Sequence, residues 1–125
     1  MKSIVLLWIL MFCSYTVFGQ VLKYKSLNYD IEKPNVAAYA TKYVTTFHTV
    51  DLNKNTIKYV CGNVSKTYSV QAIYDEGTYF RFSINSSGVK NIWVSRSLSS
   101  GNPYNIEYEF LSGIKFIYYE ITQFQ

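Results

Sequence analysis

His48 is the chain's single histidine, and Cys61 is one of two cysteines. Both could do nucleophilic or acid–base chemistry. A Ser–His–acid triad needs the histidine beside a serine and a carboxylate, and no Gly-x-Ser-x-Gly elbow occurs. His48 sits in a Thr-rich run between Phe47 and Thr49, so it reads as a structural or surface residue. Cys61 lies between Val60 and Gly62, which supply neither a base nor a positive field for a thiolate. A hairpin turning about Asn53 sets His48 opposite residues near 58, not opposite Cys61. Cys61 therefore reads as a small buried core residue, with an intermolecular disulfide as the alternative.

Metal chemistry fares no better. One His with one Cys cannot close a zinc site. The stretch Asp51-Leu52-Asn53-Lys54-Asn55 alternates oxygen side chains as calcium loops do. It has Thr56 where such a loop needs Gly, and Gly62 where it needs Glu, so it reads as a turn. Glu107 and Glu109 stand about 7 Å apart on one strand face. Carboxylate pairs that hydrolyse glycosides converge across a cleft, whereas these point the same way and read as a solvated face. No phosphate loop is present. The sequence therefore predicts no catalytic residue, no metal and no cofactor. Asn63-Val64-Ser65 and Asn85-Ser86-Ser87 match the glycosylation sequon, which matters only in a eukaryotic secretory pathway.

Aromatic side chains remain. Tyr79 beside Arg81, Trp93 between Ile92 and Val94, and Tyr119 opposite the Phe116 face all lie off the expected core face. Tyr and Trp offer rigid, amphipathic area that suits interfaces and stacks on rings. Tyr is also simply a strand former. The candidate ligand-binding residues are Trp93, Tyr79, Arg81, Arg96 and Tyr119, with the loop 96–103 at the rim of the site.

Strands must position these residues. From Lys42 onward, short alternating runs are separated by turn clusters: 43–50, 56–61, 66–74, 78–84, 89–95, 104–110 and 114–122. Asn53, Gly62, Gly77, Gly88 and Gly113 mark turns between them. About seven strands spaced in this way predict an all-β fold. They form a single antiparallel meander, closed as a small barrel or folded as a sandwich. The last strand has apolar residues on both faces: Ile114, Phe116 and Tyr118 on one, Ile117, Tyr119 and Ile121 on the other. It therefore needs cover on both sides. Residues 20–41 read as an N-terminal arm or edge strand, interrupted by Pro34. A short helical turn near 34–41 is one reading of the Ala-rich stretch there, and a strand start is the other. Residues 42–125 form the antiparallel β domain.

The first segment sets the compartment. Lys2, the apolar run Ile4 to Phe12, and small residues leading to Gly19 have the order of a cleavable signal peptide on residues 1–19. The run is too short for a spanning helix, which needs about 20 residues. A lipoprotein signal at Cys13 needs a small preceding residue, and Phe12 stands there. No later run could span a bilayer as a helix. The expected location is secreted or periplasmic, including attachment at the cell surface.

Cleavage before Gln20 leaves 11 basic and 8 acidic residues. The bases are scattered along the chain, so neither a nucleic-acid arm nor a polybasic lipid patch is predicted. Cys61 is then the only cysteine, so the core alone must hold the domain. The 12 Tyr, 6 Phe and 1 Trp after the cut supply that core. The expected function is non-enzymatic binding of a small molecule, glycan or protein partner through an aromatic sheet face. The alternatives are an assembly subunit self-associating through strand 114–122, and a small hydrolase.

Overall fold

The computed structural model describes residues 20–36, 40–86, 88–96 and 102–124. The segment read as a signal peptide and most of the loop 96–103 lie outside these residues. Nine strands form: β1 (Val21–Glu32), β2 (Ala40–Lys42), β3 (Thr46–Asp51), β4 (Thr56–Cys61) and β5 (Val64–Asp75) come first. They are followed by β6 (Tyr79–Ser86), β7 (Val89–Ser95), β8 (Ile106–Phe110) and β9 (Lys115–Phe124). The seven strands expected from alternation are β3 to β9. The two additional strands come from the stretch with the weakest alternation.

Each strand from β3 to β9 pairs antiparallel with the next, and β1 pairs with both β3 and β9. That last pairing closes an eight-stranded up-and-down barrel and excludes a sandwich. The stretch expected as an arm or edge strand is thus β1, hydrogen-bonded along both edges. Its buried Tyr24 and Ser26 hold it in the wall. β2 pairs with β1 at Tyr29–Ile31 and β3 pairs with it at Val21–Ser26, along the same edge. β2 is therefore the outer end of the β3 strand, offset by a bulge at 43–45.

Around the expected helical turn, Pro34 and Asn35 form a turn, residues 37–39 lie outside the described residues, and Ala40 opens β2. Asn35 has φ 62°, a left-handed conformation that ends helical propagation. The described residues contain no helix.

Inside the barrel lie Tyr24, Val50, Ile57, Tyr68, Ile73, Phe82, Ile84, Ile92, Val94, Ile106, Tyr108, Tyr118 and Ile121. Each large apolar side chain removed from water stabilises the fold by about 1.5–3 kcal/mol. Strict alternation fails where strands switch phase. In β9, Tyr118 and Ile121 are both buried, three positions apart, and Glu120 between them has φ 51°. Of the second apolar face read on this strand, the phase jump brings Ile121 to the inner face, while Ile117 stays on the outer wall beside Glu107. Across the jump, Ser26 Oγ lies 2.8 Å from the carbonyl oxygens of both Tyr119 and Asn28. The same device recurs in β5, where the register shifts between Val70 and Ala72.

The two rims differ in the connections they carry. The Pro34 rim holds the links after β1, β4, β6 and β8. The Asp51 rim holds those after β3, β5 and β7. At the Pro34 rim, Gly113 (φ 92°) leaves room for Pro34, whose Cγ would lie 2.9 Å from a Cβ there. Its left-handed backbone and that contact both require glycine.

Candidate functional site

The outer wall of β5 to β9 carries a continuous polar and aromatic belt. Register places Arg81 directly beside Trp93, Trp93 beside Glu107, and Asn91 beside Glu109. All therefore project outward from neighbouring strands. Arg81 Nε donates to Glu76 Oε1 at 2.9 Å, and Trp93 Nε1 donates to the same oxygen at 3.3 Å. Arg81 Nη1 donates to Asn91 Oδ1 at 3.2 Å, and Asn91 Nδ2 donates to Glu109 Oε1 at 2.9 Å. The Arg81 guanidinium lies 4.3 Å from the Tyr74 ring centroid, and Lys115 Nζ lies 5.8 Å from that of Trp93. Lys115 also reaches Glu107 Oε2 at 3.8 Å.

These contacts set the charge. Burial against the wall raises the Glu107 carboxyl above the ordinary carboxylate range. Lys115 opposes that shift, while Glu32 and Glu109 add to it. The belt is a half-wet surface whose cations are matched by carboxylates. It can offer ring faces together with oriented donors and acceptors.

Of the predicted site residues, the structure brings Trp93, Arg81 and Tyr79 together on β6 and β7. Tyr79 is 42% exposed and pairs with Ser95. Arg96 stands at the adjoining Asp51 rim. Its Nη2 bonds Asp75 Oδ2 at 2.6 Å, and its guanidinium lies 4.3 Å from the Phe80 centroid. Tyr119 does not join them: it sits on β9 opposite Asn28, two strands round the wall from Trp93. Sequence reasoning missed Tyr74, Glu76, Asn91 and Lys115. Asn91 was legible, since it lies two positions before Trp93 and so shares its face. Glu76 was not, because a turn delivers it.

A second polar cluster lies inside the barrel. His48 is completely buried. Its Nε2 is 2.9 Å from Thr46 Oγ1 and its Nδ1 is 2.9 Å from Tyr108 Oη. Tyr118 meets the imidazole edge-on at 4.6 Å between centroids, and Tyr59 and Tyr108 lie at 5.7 and 5.6 Å. The Tyr59 ring centroid lies 5.9 Å from that of Tyr118, and Cys61, two positions along β4, shares its strand face. Desolvation depresses the His48 pKa to about 3 and raises those of Tyr108 and Tyr118 strongly. The imidazole is therefore neutral, and the expectation of a structural histidine fits its packing. Cys61 is a free, half-buried thiol rather than a fully buried one. It connects to His48 through Tyr59, since His48 pairs with Tyr59 across the hairpin. In the Asp51 turn, the Asp51 carboxylate accepts from the backbone N–H groups of Asn53 and Lys54 at 3.0 and 3.1 Å.

No helix among the described residues is long and apolar enough to cross a membrane. The chain matches no protein-family model and no curated protein.

Proposed function

We propose that this is an exported, non-enzymatic β-barrel that binds a partner through the outer wall around Trp93, Arg81 and Tyr79. The observation that carries the reading is the convergence of Arg81 and Trp93 on one oxygen of Glu76. A side chain from a turn and side chains from two strands hold a half-exposed indole in one orientation. Such preorganisation reduces the entropy lost on binding. Stacking area beside an Asn amide, a guanidinium and carboxylates suits a ring-bearing polar ligand, with a glycan unit as the first class to test.

Trp93 is the only tryptophan after residue 19, so its emission reports on this wall. The test is a glycan array and peptide library probed with the wild type and with Trp93→Ala and Arg81→Ala. Ligands should be lost by roughly tenfold or more in both variants, as for residues at the centre of an interface. Ligands bound equally by all three proteins overturn the reading. Self-association through β9 would have to use its outer face, because β8 and β1 occupy its two edges.

A further inference from the structure

The lysines scattered along the chain are gathered by the topology. Lys33 follows β1, Lys42 ends β2, Lys66 lies near the start of β5 and Lys90 near the start of β7. All four are exposed, and all stand at the Pro34 rim. None is within ion-pair distance of a carboxylate among the described residues. Asp30, Glu32 and Glu109 share this end. Asp30 accepts from Thr41, Glu109 accepts from Asn91, and Glu32 stands opposite Lys115 in the β1–β9 register. The Asp51 rim is different: Asp51, Asp75 and Glu76 lie there with Lys23, Lys54 and Arg96, and Arg96 is paired to Asp75.

Apolar side chains follow the same division. Val36, Val44, Val64 and Leu111, four of the six exposed aliphatic residues, stand at the Pro34 rim. Tyr43 (81%) and Leu111 (69%) are the most exposed large hydrophobic residues described. Behind Leu111 opens an apolar recess of about 380 Å³, lined by Gly88, Phe110, Leu111, Ser112, Ile114 and Phe116. Exposed aliphatic tips beside cations on one rim are costly in water, and they match an interface that is anionic outside and apolar within. Long lysine stems let the charges reach headgroups while the tips go deeper.

From this juxtaposition we infer that the Pro34 rim docks on an anionic lipid surface. The inference does not rest on the binding reading for the outer wall. That wall carries Arg81, Asn91, Glu107, Glu109 and Lys115, charged and polar groups that a hydrocarbon-facing band excludes. The contact is therefore made end-on, with Tyr43, Val36 and Leu111 at the interface and the Asp51 rim away from it.

The test is partition onto vesicles of phosphatidylcholine with about 30 mol % phosphatidylglycerol, at about 0.1 M salt. There the screening length of about 10 Å keeps the two rims electrostatically separate. Binding should be clear on these vesicles and nearly absent on pure phosphatidylcholine. Lys33→Glu with Lys90→Glu should weaken it by roughly 25-fold or more, at about fivefold for each lysine lost. Leu111→Asp should weaken it by about tenfold. Lys54→Glu, at the opposite rim, should stay within about twofold. All the proteins share one N-terminus, so any leader they retain contributes equally. Each variant is checked for an unchanged thermal midpoint. The inference is overturned by no partition on the anionic vesicles, by equal losses at the two rims, or by salt-independent binding to neutral lipid. It is also overturned if the same lysines bind duplex DNA while the vesicles stay bare.

Discussion

The barrel has two polar–aromatic clusters on opposite sides of one wall, and water makes them different. Inside, Thr46, His48 and Tyr108 bond one another with no solvent access, and three tyrosine rings surround the imidazole. Outside, Arg81, Glu76, Asn91 and Glu109 form a comparable chain of bonds in partial contact with water. The inner groups have no alternative partner, so each bond must be kept or its loss felt in full. The outer groups exchange protein partners for water at little cost, which leaves them available to a ligand. Similar side chains thus serve stability on the inner face and, under the proposed function, recognition on the outer one.

Acid should break that contrast most strongly. The unfolded chain protonates His48 below about pH 6.5, whereas the folded barrel keeps it neutral down to about pH 3. Between those values the unfolded state binds more protons, so stability is full above the upper value and falls as pH drops. The loss approaches about 5 kcal/mol at the lower end. Glu107 works the other way: its raised pKa contributes stability at low pH that is lost as pH rises through the carboxylate range. Urea midpoints measured from pH 7 to pH 3.5 should fall steeply. A His48→Gln variant, if folded, should show a flatter profile. A wild-type profile that stays flat would mean that the imidazole is not sealed.

Tyr108→Phe should come next, losing about 1–3 kcal/mol in urea unfolding, because it strands a buried ring nitrogen. An unchanged midpoint would show that water reaches the cluster. Glu120→Gly tests the point where inner and outer faces exchange. A left-handed non-glycine backbone is strained, so the substitution should gain up to about 1 kcal/mol in thermal unfolding, less the added freedom of the unfolded glycine. A clear loss would show that the Glu120 side chain, rather than the backbone, holds the jump. Arg81→Ala should be the smallest, at under about 1 kcal/mol by the same measurement. A loss as large as that of Tyr108→Phe would erase the distinction between the clusters.

Much of the fold was legible because hydrophobic alternation is a local signal. The return strand Thr56–Cys61 and the strand Val89–Ser95 were read with their observed ends, and Phe80, Phe82 and Ile84 were read on one face. β1 was misread because its face switches between Ser26 and Tyr29, which breaks the alternation that marks a wall strand. In β9 the phase jump at Glu120 puts Ile121 on the inner face with Tyr118, while Ile117 faces out. Trp93, Arg81 and Tyr79 were legible as outward residues, because their period places them opposite the core. Their common partner Glu76 was not, because a turn brings it in from outside the period.

The chain's own order of residue types determined that it would be all-β, where most of its turns fall, and which side chains avoid the core. These are properties of a few neighbouring residues. Closure of β1 on β9 joins stretches about ninety residues apart, so only tertiary pairing decided for a barrel over a sandwich. Strand pairing in the closed sheet also sealed His48 from water, gathered four lysines at one rim, and set Trp93 beside the Arg81–Glu76 pair. None of these follows from local pattern, because each depends on which strands become neighbours once the sheet has closed.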